Sequence, residues 1–562
     1  MPGLLFLHGG AEEARRVFRE EERGCWSAAL PLVLEKHGCL DLVEVSDDEL
    51  GASLQSEDVA CVLVARLTAE RAESGVISRL LESERPLLID GPVPSELHGR
   101  LGITAASPLI KEGSVGIASK WLANAARAYG YPAGGRVGPP IVREVDRHDR
   151  TDWDRLDVPI TAAQAKAWRS LSWDAEAWSV SPDTEVLATW TPPGGKPSPA
   201  IIRRGALTAT AFSLFAILGQ AHTSEPWNHG EYRSSLRSTG LETLLLALVD
   251  DLHRQAGIVR ARVLPWPRGA RWVLNVRHDF DRFLGPAPVA EALRRHQEAG
   301  TAATWYWRAR HLRLGLRARR WSGNLALRLV EESDRHEVAL HTEQMWDVAA
   351  DRERRAIERV AGHRVLGSCA HGDPACFRFQ GAPNLLWAER EGLRYTELIQ
   401  HSHHHPHRFA ALRDDGLIEP LRLVAMPHHE SLDKSASGGD AEVARILRAA
   451  EQFARTGGLL QAMNHPDINQ DELFEALRGI SRAGRLDWTA ARAADWWQRT
   501  HVRDALEVVA RSATDFRIRS GSAIEGLVIE LLHPSGERRL RLVNLDAGGS
   551  TTVDLSLEAQ GK

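Results

Sequence analysis

Two carboxylates and two histidines stand directly after three apolar segments in the middle of the chain. They are Asp279 and Asp281 after residues 272–277, His341 after residues 337–340, and His465 after residues 459–463. Active sites of parallel α/β folds collect where strands end, and alternate residues of a strand share one face. We therefore expect these four side chains to meet, with both carboxylates directed into one site.

Acids and imidazoles in this arrangement are typical of a metal-dependent hydrolase. Water attacks an amide carbonyl slowly, so a metal ion is needed to supply hydroxide near neutral pH and to polarise the carbonyl. A base must accept the proton of the water, and an acid must protonate the leaving amine. The residue types therefore match the requirements of amide hydrolysis.

Four motifs between about residues 268 and 500 resemble those of the polysaccharide deacetylases, the NodB-homology domain of carbohydrate esterase family four. In chain order they are His278-Asp279-Phe280-Asp281, His341-Thr342-Glu343-Gln344-Met345, the segment from Gly367 to Gly372, and His465. One residue separates the two carboxylates, where many members have them adjacent. Met345 stands in place of a second histidine, and Cys369 stands where an arginine is expected.

The resemblance implies a role for each matched residue. Asp279 is the base and His465 the acid, although the spacing leaves open an exchange of roles between Asp279 and Asp281. A divalent metal ion, Zn²⁺ above all, has Asp281, His341 and His371 as its ligands. The residues expected to contact substrate are Arg277, His278, Thr342, Asn464 and His428.

The third metal ligand has several candidates, because the thioether of Met345 suits Zn²⁺ less well than imidazole or carboxylate. His371 comes first, since it follows the next strand after the one that carries His341. Glu343 comes second. The histidines of the segment 401–407 and the pair His428-His429 are further candidates.

The order of apolar and polar segments predicts a multidomain α/β protein. Residues 1–262 are expected to form an α/β accessory domain like a flavodoxin or an amidotransferase, with a split near residue 110 as an alternative. Residues 263–500 are expected to form a central (β/α) barrel of the NodB-deacetylase type. Residues 501–562 are expected to form a small β-sandwich, because short alternating segments are joined there by turn residues.

Composition places the chain among ordinary globular proteins. Of its 562 residues, 43% are apolar and 26% are charged, and the net charge of −5 gives no electrostatic case for nucleic acid as a partner. No segment reaches the ~20 apolar residues of a transmembrane helix, and the first residues do not look like a signal peptide. We therefore expect a cytoplasmic protein whose five cysteines form no structural disulfide.

These expectations combine into one predicted function and two alternatives. The predicted function is the removal of N-acetyl groups from a sugar or glycan precursor inside the cell by a metal-dependent hydrolase. The first alternative is a carbohydrate-binding protein that has lost catalysis, with Met345 and Cys369 as the signs of that loss. The second is a hydrolase of a non-sugar amide that uses the same site.

Overall fold

Parallel strands dominate two large sheets in the computed structural model. The structure describes residues 3–20, 24–39, 41–56, 59–67, 71, 75–108, 114–129, 136–137, 175–191, 194–220, 222, 239–309, 317–342, 348–370, 387–397, 405–413, 415–427, 429–431, 439–510 and 515–554. None of the helices in these ranges has the length and apolar character that crossing a membrane requires.

The N-terminal sheet has nine strands and is mixed. Its strands, from one edge to the other, are Leu42–Ser46, Gly3–His8, Val59–Val64, Leu87–Ile89, Leu207–Thr210, Ser198–Arg204, Glu185–Thr191, Ser114–Ile117 and Arg136–Val137. The first five are parallel, which confirms the predicted parallel layer. The other four pair antiparallel, and short hairpins connect Glu185–Thr191 to Ser198–Arg204 and Ser198–Arg204 to Leu207–Thr210. The sheet therefore includes strands from both sides of residue 110.

Helices cover this sheet on both faces and bury its apolar strands. They are Gly10–Glu20, Leu30–Lys36, Leu50–Gln55, Val76–Glu82, His98–Leu101, Lys120–Ala128, Leu214–Gln220 and Thr239–Gln255, with short 3-10 helices at Trp26–Ala29 and Ser95–Leu97. A two-stranded sheet of Ile103–Pro108 and Glu176–Val180 packs beside them. The strand Val59–Val64 is buried at every position, as expected for a central parallel strand.

The central sheet has ten strands, most of them parallel. Its path runs through His407–Leu412, Ile418–Met426, Tyr395–Glu397, Gly367–Ala370, His336–Thr342, Ala303–Trp307, Trp272–Asp279, Gly458–Asn464 and His429–Ser431, and Arg485–Asp487 also pairs with Trp272–Asp279. Among the described residues this path has two ends and does not close on itself. The predicted strands are confirmed, but the predicted closed barrel is not. One end is an antiparallel hairpin and the other is a strand of three residues.

The helices of the central region alternate with its strands. They are Pro286–Ala299, Arg317–Glu331, Val348–Ala361, Gly439–Thr456, Gln470–Gly479 and Ala490–Thr500, with a 3-10 helix at Pro267–Gly269. Proline begins the first of these helices, and Gly300 ends it in the left-handed conformation with a φ of 66°. One face of the sheet packs against these helices through apolar residues such as Leu274 and Val276. The opposite face carries the polar residues of the candidate site.

Two three-stranded antiparallel sheets are built mainly from strands of the C-terminal part of the chain. One consists of Arg260–Val263, Ile524–Leu532 and Arg538–Leu545, and the other of Leu506–Ala510, Asp515–Ser520 and Ser550–Asp554. Both contribute to one buried apolar cluster with Trp266 and the helix Ala490–Thr500. The segment at the expected domain boundary of residues 262 and 263 is therefore a strand of a C-terminal sheet.

Candidate active site

The motif Asp279-Phe280-Asp281 is held in place by its aromatic residue. Phe280 is buried among the helix-side core residues and stacks on Trp307 with ring centroids 3.8 Å apart. Because neighbouring residues of an extended chain point to opposite faces, Asp279 and Asp281 are directed to the other side. The single residue between the carboxylates thus anchors both of them toward one site.

The carboxylate of Asp281 lies between two imidazoles. Its Oδ1 atom is 3.0 Å from Nε2 of His341, and its Oδ2 atom is 3.1 Å from Nε2 of His465. The side chain of Asp281 is 32% exposed, whereas those of His341 and His465 are 1% and 14% exposed. The three residues come from the ends of three different strands, and solvent reaches the site through Asp281.

Asp279 is buried beside Asp281 and is bound to an arginine of its own strand. The guanidinium of Arg277 donates from Nε to Oδ1 over 2.7 Å and from Nη2 to Oδ2 over 2.6 Å. Burial would raise the pKa of Asp279, but the positive charge of Arg277 and the contribution of His341 outweigh burial and hold that pKa below its usual value. Asp279 is therefore an ionised carboxylate whose Oδ2 atom lies 3.9 Å from Nε2 of His341.

Cys369 lies on the other side of the His341 ring. Its Sγ atom is 3.2 Å from Nδ1 of His341, and burial raises the pKa of the thiol well above its usual value. A neutral thiol can donate its proton to Nδ1 while the Nε2 proton is donated to Asp281. Potential ligand atoms of Asp279, His341 and Cys369 all lie within 4.8 Å of one another.

Two sides of His341 could thus face a metal ion, and their chemistry differs. The Nδ1 side offers a buried, protonated thiol next to the guanidinium of Arg277, a cation that already binds Asp279. The Nε2 side offers a carboxylate and a second imidazole with access to solvent. Two imidazoles and a carboxylate are a common ligand set of catalytic Zn²⁺, and the guanidinium beside the Nδ1 side disfavours a second cation there, so by donor chemistry the Nε2 side fits a divalent ion better.

Arg277 has a second acidic partner, Glu397, which the sequence motifs do not indicate. The Nη1 atom of Arg277 donates to Oε2 of Glu397, and the hydroxyl of Tyr306 donates to Oε1. Burial raises the pKa of Glu397 to about 7. No local pattern indicates this role of Glu397, because the strand Tyr395–Glu397 has three residues and all of them are buried.

The structure places the remaining predicted site residues in three different surroundings. Arg277 is at the site but contacts the two acids rather than open space. His278 and Asn464 are fully buried on the helix side of the sheet, where His278 Nδ1 is 2.6 Å from Asn464 Oδ1. Thr342 is buried at the end of its strand, next to His341. The predicted residues outside the described ranges are His371, His428, Glu343, Met345, His401, His403 and His404.

Comparisons with known proteins give similarity to solved structures only. No family model matches the chain, and no curated protein matches it. A protein from Mycobacterium smegmatis described as a polysaccharide deacetylase is 17% identical, with a TM-score of 0.32 over 42% of this chain and 92% of that one. A pseudoenzyme of the CE4 family from Bacillus anthracis is 10% identical, with a TM-score of 0.25 over 42% and 70%.

A third solved structure contains a metal ion. It is a family 4 acetyl xylan esterase from Clostridium thermocellum in complex with cobalt, 10% identical, with a TM-score of 0.26 over 39% of this chain and 89% of that one. Similarity at these TM-scores assigns no activity, metal or substrate to this chain.

Proposed function

We propose that the central region is a metal-dependent hydrolase that removes acetyl groups from an N-acetylated sugar or glycan. One observation carries the proposal: the Asp281 carboxylate lies between the Nε2 atoms of His341 and His465, beside an ionised Asp279. The acetylated sugar comes from the resemblance of the motifs around these residues to those of polysaccharide deacetylases.

The metal-binding residues in this proposal are Asp281, His341 and His465. Two imidazoles and a carboxylate are a common ligand set of catalytic Zn²⁺, and they leave a position for water or substrate. His465 therefore takes the place expected for His371 and gives up its expected role as acid. When bound, the ion would lower the pKa of a water molecule and polarise the acetyl carbonyl.

Asp279 is the proton acceptor of the proposed reaction. It is ionised because of Arg277, and each carboxylate oxygen keeps a lone pair after accepting one hydrogen bond from the guanidinium. The carboxylate takes a proton from the attacking water and then returns it to the nitrogen of the leaving amine. Arg277 holds the carboxylate in one orientation through both steps.

Metal content and acetate release test the proposal together. We would measure bound metal by elemental mass spectrometry in the wild type, Asp281→Asn, His341→Ala and His465→Ala, with His363→Ala as the control because that histidine is on the surface. We expect one divalent ion per chain in the wild type and the control and less in the other three. Metal-loaded protein should release acetate from N-acetylglucosamine oligomers faster than from simple acetamides.

The outcomes separate the possible roles of these residues. Full metal content with lost turnover in His465→Ala would return His465 to the role of acid. Equal rates on sugar and non-sugar amides would favour a hydrolase with a different substrate. Absence of metal from the wild type after supplementation with Zn²⁺ or Co²⁺ would overturn the proposal.

A binding protein without catalysis is the second candidate, and one observation favours it. Both oxygens of Asp279 accept hydrogen bonds from Arg277, which weakens this carboxylate as a base. A protein that only binds glycans would retain full glycan affinity in Asp279→Asn and release no acetate in either form. A loss of acetate release in Asp279→Asn from a measurable wild-type rate would exclude this candidate.

A further inference from the structure

A chain of hydrogen bonds crosses the helix side of the central sheet, behind the candidate site. His278 Nδ1 is 2.6 Å from Asn464 Oδ1, and His278 Nε2 is 2.7 Å from His296 Nε2. The other nitrogen of His296 is 2.8 Å from the hydroxyl of Thr301. All four residues are at most 1% exposed, so water does not compete for these bonds.

The imidazoles of His278 and His296 are both neutral. Burial lowers the pKa of His278 to about 3 and lowers that of His296 well below its usual value. A neutral imidazole donates one hydrogen bond and accepts one. A ring that donates from one nitrogen must therefore accept at the other, so all hydrogen bonds of the series run in the same direction. The series of hydrogen bonds has only two such proton arrangements.

The carbonyl of Ile468 selects one of the two arrangements. The amide nitrogen of Asn464 donates to this carbonyl over 3.3 Å, so the amide oxygen must face His278. His278 then donates from Nδ1, His296 donates from Nε2, and the hydroxyl of Thr301 donates to His296. In the reverse arrangement, the oxygen of Asn464 would face the oxygen of Ile468 without a proton between them.

The series of hydrogen bonds from Thr301 to Asn464 ends at the turn that carries His465. The backbone nitrogen of Ile468 donates to the carbonyl of His465 over 2.9 Å, and Asn464 binds the carbonyl of Ile468. The turn is thus fixed at both of its ends, with the ring of His465 directed at Asp281. The position of His465 depends on contacts made on the opposite face of the sheet.

We propose that His278 is a positioning residue, which fixes Asn464 and through it the turn that holds His465 against Asp281. This inference rests on the proposed function for its catalytic meaning, but its structural content is independent of a metal ion. His278 and Asn464 thereby support the site without contacting substrate.

Two substitutions break the chain at different links. His278→Phe keeps an aromatic ring next to Trp305, whose centroid is 4.2 Å from that of His278, and removes both hydrogen bonds. Asn464→Asp keeps the acceptor for His278 but places a second oxygen against the carbonyl of Ile468. The matched control is His336→Phe, because the ring of His336 contacts His296 at 5.2 Å and is outside the chain.

Crystal structures of the three variants provide the first test. We expect the His465 ring to leave hydrogen-bond distance of Asp281 in His278→Phe and in Asn464→Asp, and to stay in place in His336→Phe. Thermal unfolding would establish that each variant is folded. An unmoved His465 ring in both chain variants would overturn the inference, whether or not the protein binds metal.

Metal affinity provides the second test. Loss of a residue that orients a metal ligand typically weakens binding about 10- to 100-fold, and we expect that loss of Zn²⁺ affinity in both chain variants. Combined with His465→Ala, neither substitution should weaken binding further, because the two changes act through the same side chain. If His278→Phe weakened Zn²⁺ binding in His465→Ala as much as it does in the wild type, His278 would not act through His465. If the wild type binds no Zn²⁺, the proposed function fails, and the crystal structures alone decide the inference.

Discussion

Two buried aspartates at the ends of parallel strands have pKa values shifted in opposite directions, because the groups around them differ. Asp90 follows the strand Leu87–Ile89 of the N-terminal sheet, and Asp279 ends the strand Trp272–Asp279 of the central sheet. Burial raises the pKa of Asp90 to about 8, and the hydrogen bonds from the backbone nitrogen of Phe215 and the hydroxyl of Thr210 lower it too little to offset burial. Arg277 holds the pKa of Asp279 below its usual value, despite similar burial.

The comparison shows that a strand end places an acid at the edge of the sheet but does not determine the charge of that acid. Both sheets bring an acid to a carboxyl edge, where sites of α/β proteins are found. In the N-terminal sheet the acid is neutral and binds the start of a short helix. In the central sheet the acid is charged and lies beside two imidazoles. The cation decides whether the buried carboxyl can act as a base.

Removing that cation should give the largest effect. Arg277→Met leaves Asp279 and Glu397 buried without their shared partner, so the free energy of unfolding should fall by about 3–5 kcal/mol. Urea unfolding measures this loss. Arg413→Met is the control, because Arg413 and its partner Glu419 are exposed, and it should cost less than about 1 kcal/mol. Equal stability of the two variants would contradict the account of Asp279.

Removing the charge of Asp279 should mainly affect turnover. Asp279→Asn keeps the size of the side chain and should lower acetate release about 10²- to 10⁴-fold, the usual contribution of a proton-transferring residue. The metal content should stay at the wild-type level, because the proposed ligands remain. Asp90→Asn is the matched control at the other strand end, and its rate should equal that of the wild type.

The two aspartates should also respond to pH in opposite directions. The folded-state pKa of Asp90 is raised, so between pH 6 and 7 the unfolded chain has lost a proton that the folded chain keeps. Stability then falls with rising pH by up to about 1.4 kcal/mol per unit, and Asp90→Asn should remove this fall. The folded-state pKa of Asp279 is lowered, so its contribution is present at neutral pH and is lost only under acid conditions, as pH falls through the folded-state value.

Unfolding in urea across the pH range measures both slopes. The free energy of unfolding of Asp90→Asn should rise relative to that of the wild type from pH 6 to pH 7, because only the wild type loses the contribution of Asp90. The difference in stability between Asp279→Asn and the wild type should stay constant over that interval and shrink only under acid conditions. Parallel curves for the two variants would show that the two strand ends are electrostatically alike.

The smallest effect is expected at Glu397. Its pKa of about 7 means that most of this group is protonated at pH 6, where Glu397→Gln should change stability by about 1 kcal/mol or less, the net contribution of one hydrogen bond. Tyr306→Phe, which removes the other partner of Glu397, is the companion variant. If Glu397→Gln lowered the free energy of unfolding at pH 6 as much as Arg277→Met does, Glu397 would have to be charged at that pH and form the main ion pair of Arg277.

The sequence was sufficient for features that depend on local order. Alternation along residues 272–281 predicts a strand with two carboxylates on one face, and both are there. The same alternation places His278 on the face opposite Asp279, although its position next to the acid suggested contact with substrate. The roles of Glu397 and Arg277 depend on strands that are 120 residues apart, and no local pattern indicates such a pairing.

The pairing of distant strands could not be predicted from the sequence, because it too depends on residues that are far apart along the chain. The predicted strands of the central region exist, but whether a sheet closes depends on the pairing of its first and last members, which the order of strands does not determine. The strand Arg260–Val263 shows this at another place, since its partner lies about half the chain away.

That pairing has a consequence for how the protein is made and how it can be divided. Residues 260–263 leave the ribosome long before residues 529–532, so the sheet they share forms only after the whole central region has been synthesised. A shortened protein that begins at residue 263 would lack one of the three strands of this sheet and expose the apolar cluster beneath it. A central fragment that begins before residue 260 and continues through residue 554 keeps this sheet whole.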